Sequence, residues 1–344
     1  MLLVVNAGSS SLKLAMFDGD GQVAWTGGGD LAEGLRGMGV AAGDLTAVAH
    51  RVVHGGASLV VPCRVTPAVL AGIEACVPLA PLHNPANLMG IRAVAELAPD
   101  LPQYASFDTA FHATNPEVAV RYALPEAERA RGLRRYGFHG ISYAALVRVL
   151  RERGPLPRRL LACHLGNGAS LCAMLDGVSV ATTMGYSPLD GLTMGTRAGG
   201  IDGNAVLRLA EVHGVAGAAR VLNRESGLLA LGGSNDMRGL AAGSFAREHF
   251  VYWAVRHAGS MVAAMGGLEA VVFTGGIGEN DAGVRAGILA GLGYLGVAVD
   301  AAANARHAAV LQDAASAVVI WTVPADEERQ IALEARAVMA GEGR

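Results

Sequence analysis

A single lysine in a glycine- and serine-rich turn is suited to neutralising phosphate. The chain carries one at Asn6-Ala7-Gly8-Ser9-Ser10-Ser11-Leu12-Lys13. Backbone N–H groups of such a turn can cradle phosphate oxygens while the ammonium adds charge. The spacing is not that of a Walker loop, and the same residues also serve as an ordinary strand connector. Composition adds weight: Lys+Arg total 27, yet Lys13 is the only lysine. An ammonium and a planar guanidinium differ in shape and hydration, so this lysine marks a position where arginine does not fit, unless drift simply left it there.

Further polar clusters follow apolar runs. His50-Arg51-Val52-Val53-His54-Gly55-Gly56 places an arginine at a strand end beside glycines, where its fork can grip a carboxylate or phosphate. Pro81-Leu82-His83-Asn84-Pro85 comes next, then Phe107-Asp108-Thr109-Ala110-Phe111-His112. An aspartate ending a strand of an α/β protein sits where ligands bind, and it can also cap a helix. Tyr136-Gly137-Phe138-His139-Gly140 is ambiguous by itself. His164-Leu165-Gly166-Asn167-Gly168 is a second candidate phosphate nest. Met184 to Asp202 is glycine-rich with Arg197 as its one cation, which suggests an anionic ligand. Thr274-Gly275-Gly276-Ile277-Gly278-Glu279-Asn280 follows a strand, and its glycines let a backbone approach a nucleotide. Asp326-Glu327-Glu328 opens a helix, where acidic residues ordinarily complement the dipole.

The elements that must hold these residues read as follows. Strands are expected at Leu2 to Val5, Leu12 to Phe17, Ala47 to Val53, Gln103 to Phe107, Leu160 to Leu165, Leu171 to Leu175, Ala270 to Thr274 and Ala317 to Val323. Helical periodicity runs over Ala86 to Leu97, Ser142 to Arg153, Asn204 to His213, Gly243 to Gly266 and Glu327 to Ala340. Alternating strands and helices indicate an α/β fold. Gly8 to Gly19 laid over Gly166 to Gly177 matches five of twelve positions without a gap, both ending in Ala-Met-apolar-Asp-Gly. We read this as an internal duplication of a strand–turn–strand unit, because turn positions coincide as well as letters.

Bulk properties narrow the class. The 344 residues fit two domains, with a boundary expected between Phe111 and Leu150. A net charge of −3 gives no reason to expect a nucleic acid or membrane partner. No apolar run is long enough to span a bilayer, and the amino-terminal stretch reads as a strand, not a signal peptide. The four cysteines have no zinc-ligand spacing and suggest reduced thiols in the cytoplasm.

Taken in order, NAGSSSLK, HRVVHGG, PLHNPANL, FDTAFH, YGFHG, HLGNGAS, PLDGLTMGTR and TGGIGEN resemble the acetate kinase family of short-chain carboxylic acid kinases, from Leu3 to about Ala332. The resemblance implies the duplicated actin/hexokinase/Hsp70-type (ribonuclease H-like) α/β fold, with two domains around a cleft. An N-terminal actin-like domain would span 1–125, completed by the C-terminal helix 329–344. A C-terminal nucleotide-binding domain would span 126–328. It implies catalytic roles for Asp108, His139 and Arg197, and an acid site of Arg51 with the apolar Val53, Leu82, Phe138 and Pro188. Lys13, His164, Leu165, Gly166, Asn167, Gly168, Asp236, Met237, Arg238, Gly276, Ile277, Gly278, Glu279 and Asn280 would contact the nucleotide. Asn6 and Glu327 would place Mg²⁺, or Mn²⁺ in its stead. The implied reaction is in-line phosphoryl transfer from ATP to acetate, giving acetyl phosphate and ADP, in a cytoplasmic homodimer.

The chain departs from the family's pattern in places. The stretch between Phe17 and His50 is short, and the loop Ser226 to Arg238 is a residue short. Ala-Gly-Gly-Ile-Asp-Gly-Asn follows Arg197, Ala325-Asp326 precedes the Glu pair, and Tyr143 stands where histidine is common. The alternatives are a propionate or butyrate kinase, a phosphatase on the same fold, and an inactive binding protein. The phosphatase would lack the acid pocket, and the binding protein would be expected to lose Asp108, Arg197 or His139.

Overall fold

The computed structural model describes residues 1–7, 12–18, 21–27 (backbone only) and 31–342. The chain divides into two units. The first comprises Met1–Ala113, Phe138–Ala145 and Asp326–Arg344, and the second Thr114–Gly137 and Leu146–Ala325.

In the first unit the strands are β1 (Leu2–Ala7), β2 (Leu12–Asp18), β3 (Gly21–Gly27), β4 (Ala47–Val52), β5 (Cys63–Arg64) and β6 (Gln103–Phe107). They form one sheet in the order β3-β2-β1-β4-β6-β5. The β1–β2 and β2–β3 pairs are antiparallel, while β1–β4 and β4–β6 are parallel. The unbroken apolar run of β1 fits a central strand covered on both faces. Ile331, Ala332 and Ala335 of the last helix, Glu327–Glu342, cover the face made by Leu2, Val4, Ala15, Phe17, Ala47 and Ala49. Leu31, Leu35 and Val94 cover the other face, against Leu3, Val5, Leu14 and Val48.

The second unit has β7 (Arg159–Leu165), β8 (Ala169–Leu175), β9 (Val178–Thr182), β10 (Ala270–Thr274) and β11 (Val319–Thr322), in the order β11-β10-β7-β8-β9. An antiparallel meander again runs into parallel strands. With β7 set on β1, the order and directions of β3-β2-β1-β4-β6 repeat as β9-β8-β7-β10-β11, leaving β5 without a counterpart, and this is the duplication the sequence overlay indicated. Asp176 and Gly177 turn β8 into β9 with φ of 54° and 79°. Positive φ at both central residues is what a tight hairpin needs, and Asp-Gly supplies it.

One helix differs from its sequence pattern. The expected span Asn204 to His213 lies inside Gly203–Arg224, broken at Gly214 with φ 69° and ψ 167°. The glycine does stop the first segment, and a second helical segment starts without a spacer.

Candidate active site

Side chains alternate across a strand. Leu2 and Val4, Ala15 and Phe17, Ala47 and Ala49, and Tyr104 share the face under the last helix. Counted in twos along the same face, β1 gives Asn6, β2 gives Lys13, β4 gives Arg51, and the residue just past β6 is Asp108. Asn6 and Lys13 are directly opposed in the β1–β2 ladder. The sheet therefore puts four widely separated polar residues in one row. The row lies at the carboxyl ends of its parallel strands, where ligands bind in open α/β sheets. The Gly8 to Ser11 turn expected to cradle phosphate lies outside the described residues, and Lys13 is exposed.

Within this row Arg51 is the hub. Its Nε and Nη2 donate to Asp108 Oδ2 at 3.0 and 2.6 Å, and its Nη1 donates to Asn6 Oδ1 at 3.2 Å. Burial opposes the guanidinium charge, but Asp108, Glu327 and Glu328 outweigh it and raise the arginine's proton affinity. Asn6 Nδ2 donates to Glu328 Oε1 at 3.5 Å, so the carboxylate bonded to Asn6 is that of the neighbour of the expected Glu327. Among the described residues no group of three or more His, Cys, Asp and Glu could hold a metal alone. Amide and carboxylate oxygens here would supply only part of a shell, which suits a hard cation that keeps phosphate and water ligands.

Asp108 and His139 are joined through their main chains. The N–H of Gly140 donates to the Asp108 carbonyl at 2.8 Å, and a Cβ at Gly140 would overlap that oxygen. His139 itself is left-handed, φ 58°, at the start of the helix Gly140–Arg153. A non-glycine residue there costs about 1–3 kcal/mol, and such strain clusters at functional sites. The preceding Phe138 is buried; His112 Nε2 meets its carbonyl at 2.9 Å and His54 packs edge-on against its ring at 5.5 Å. Val53 is buried as well, whereas Leu82 is largely exposed.

In the second unit, a cavity of about 500 Å³ opens between three loops. Eight expected nucleotide residues line it: Gly166 and Asn167; Asp236, Met237 and Arg238; and Gly276, Ile277 and Asn280. Gly275 has φ 79°, and a Cβ there would come 2.8 Å from the Leu165 carbonyl oxygen, so both the backbone angle and the close approach call for glycine. That close approach packs the Gly275–Asn280 helix against β7. Glu279 turns inward instead of lining the cavity, its Oε1 accepting the N–H of Gly275 and of Ala325 at 2.9 Å each. Gly278 gives its carbonyl to Arg285. Exposed Asp236 is lowered to about 2 by its hydrogen bonds from Arg238.

Arg197 lies in the glycine-rich loop of this unit. Its Nη1 donates to the Pro188 carbonyl at 3.2 Å, bringing those two expected residues together. Gly227, φ 66°, lets the chain pass over the carbonyls of Met194 and Arg197, where a Cβ would overlap.

Several residues of the site carry no sequence signal. Asn235 and Asp281 line the cavity. Arg247 clasps both oxygens of Asp281 at 2.7 Å. Arg285, fully buried, donates to the carbonyls of Gly278, Glu279 and Asn304 and so holds the cavity's helix from behind. Asn84 and Asn87, which lie within the PLHNPANL stretch but have no role implied by it, do comparable work in the first unit.

Residues 29–333 match the Acetokinase family. An acetate kinase of Pseudarthrobacter chlorophenolicus is 43% identical over 390 aligned positions, covering 100% of both chains, so this chain carries net deletions relative to it. The crystal structure of Porphyromonas gingivalis acetate kinase superposes with a TM-score of 0.84 at 32% identity, covering 98% of this chain and 99% of that one. A propionate kinase from Francisella tularensis superposes at 0.87 with 34% identity, covering 97% and 98%.

Proposed function

The chain belongs to the acetokinase family, and on that premise we propose that it transfers the γ-phosphoryl group of ATP reversibly to acetate, giving acetyl phosphate and ADP. The observation that carries the acid side is the Arg51–Asp108 pair at the strand ends, beside buried Val53 and Phe138. Asp108 and Asn6 fix the guanidinium plane, leaving the remaining donors of the fork to an incoming anion.

A carboxylate is already a nucleophile at neutral pH, so no general base is required. The protein's work is to position the reactants and balance charge on the transferring group. Arg51 and Arg197 hold the acid's carboxylate and the phosphoryl group in transfer. His139, aimed by its left-handed backbone, donates a hydrogen bond to the phosphoryl oxygens. Val53, Leu82, Phe138 and Pro188 receive the methyl group. The 500 Å³ cavity takes the nucleotide, with Lys13 and the turn before it on the phosphates. Asn6 and Glu327 would hold Mg²⁺, or Mn²⁺, which supplies positive charge to the phosphates when bound. A cytoplasmic homodimer is proposed from family membership alone; no helix among the described residues is long and apolar enough to cross a membrane.

The propionate kinase likeness gives a second reading, propionate or butyrate as acceptor. One methylene is worth only about 1–3 kcal/mol of discrimination, so the acids must be compared directly. Acyl phosphate trapped as hydroxamate should form with kcat/KM highest for acetate, using ATP in preference to GTP or pyrophosphate. A higher value for butyrate would overturn the acceptor assignment. Absence of hydroxamate with all three acids would leave a phosphatase or an inactive binding protein.

A further inference from the structure

The parallel ladder between β1 and β4 ends at Val5 opposite His50, and the strands then part. Such a parting at the carboxyl ends of strands is where open sheets place their ligands. The side chain of Asn87, from the helix Asn84–Leu97, bridges the two diverging chain segments. Its Oδ1 accepts the N–H of Val53 at 3.0 Å, and its Nδ2 donates to the Ala7 carbonyl at 2.8 Å. Asn87 is 2% exposed and its bond from Val53 is buried, so that N–H has no water as an easy substitute, while the Ala7 carbonyl is half-buried.

The two tied residues matter by position. Val53 borders the expected acid pocket, and Ala7 is the last residue before the turn expected to hold phosphate. One turn earlier on the same helix, Asn84 holds His54, accepting from its N–H at 3.1 Å and donating to its carbonyl at 3.0 Å, and also donates to the Ile73 carbonyl at 3.3 Å, so neither of its partners lies on β1. The bridge between the two strand ends is therefore made by Asn87. It needs a group that accepts on one side and donates on the other. A neutral amide does both; a carboxylate of the same shape only accepts, and alanine does neither.

We propose that Asn87 is a positioning residue for phosphoryl transfer, tying the acid pocket's backbone at Val53 to the strand that delivers the phosphate turn at Ala7. The assignment rests on the acid kinase reading above. Asn87 touches neither substrate; it fixes the separation of the two segments that hold them. Reacting groups must be held near attack distance, so a small loosening here is felt in the rate.

The test uses the full chain with Mg²⁺ and ATP, comparing Asn87→Asp and Asn87→Ala with wild type. Both variants should raise KM for acetate and lower kcat by about tenfold or more, the scale of one buried hydrogen bond lost. KM for ATP should move less than KM for acetate, because Asn87 reaches the nucleotide only through the strand before the phosphate turn, while the nucleotide cavity itself is built from other residues. A merely structural residue would lower the active fraction, scaling kcat and leaving KM for acetate unchanged. An unchanged acetate KM in both variants overturns the proposal, and the aspartate variant decides alone if the alanine protein does not fold. If wild type forms no hydroxamate with any acid, the kinase reading fails separately. Hydrogen exchange at the Val53 amide then judges the tie: weaker protection in Asn87→Ala upholds it, and equal protection removes it.

Discussion

At the scale of single residues, the polar row of the first sheet can be expected from the sequence, and the residues that hold it in place cannot. Asn6, Lys13, Arg51 and Asp108 could be picked out because each sits beside an apolar strand, where period-two alternation fixes the face it occupies. Asn87, Arg247 and Arg285 gave no such signal. Their partners are backbone groups and carboxylates brought from distant parts of the chain, such as Ala7 for Asn87 and Asn304 for Arg285. Arg197 offers the plainest prediction at this scale. Replacing it with alanine should lower kcat by about 10²–10³, some 2–4 kcal/mol, as for other preorganised donors of charge. Steady-state kinetics checks this, and a variant within a few-fold of wild type would remove Arg197 from the reaction.

At the scale of elements, spans were read well where an apolar run met a clear stop. Gln103–Phe107 and Ala270–Thr274 were placed to the residue. The helix Ala282–Gly291 was missed, although Asp281 caps it by accepting from Val284 N–H at 2.9 Å. The glycine-rich stretch before it reads as loop, and its first turn is hidden in that context. The junction of Asp108 with the helix Gly140–Arg153 shows what the sequence withheld. Gly140 is pressed on the Asp108 carbonyl, with Phe111 Cβ 2.8 Å from the place a Cβ would take, a contact between segments distant in the chain. Gly140→Ala should therefore separate Asp108 from the His139 turn. Expected are a stability loss of about 2 kcal/mol or more and a fall in kcat exceeding it in effect. Gly43→Ala, with nothing within 4 Å of the added carbon, is the control and should stay within about 0.5 kcal/mol. Denaturant unfolding and kcat measured together check the pair, and equal behaviour of the two variants would discard the steric account.

At the scale of the whole molecule, the duplication was legible because the repeated turn carries the same letters, and the strand order repeats with it. The repeat is not rigid: Asn6 faces Lys13, while His164, its counterpart in the overlay, faces Ser170 instead of the matching Leu171. What the sequence could not show is how many histidines the first unit buries. His50, His54 and His112 are each lowered from 6.5 to about 4, in every case chiefly by burial. The hydrogen bonds act differently on two of them: the bond to Gln103 favours the charged His50 ring and offsets part of the burial, whereas His54 must be neutral to accept at Nδ1. His50 Nε2 meets the Gln103 side-chain oxygen at 2.7 Å, and His54 Nδ1 accepts the Gly56 N–H at 2.9 Å. Because the folded values lie below the unfolded one, protons bind the unfolded chain more readily. The stability from keeping these rings neutral is complete above 6.5 and is lost as pH falls from there toward 4. Each ring contributes about 1.4 kcal/mol per pH unit in that window, and three together about 4. Against a total stability of about 5–15 kcal/mol, an acid shift of one to two units removes much of it. His54 and His112 both contact Phe138, so the turn carrying His139 should open with the unit. Thermal midpoints should hold steady above neutrality and fall steeply below pH 6.5, with activity declining alongside. A midpoint unchanged down to about pH 5 would show that these rings reach water in the native state.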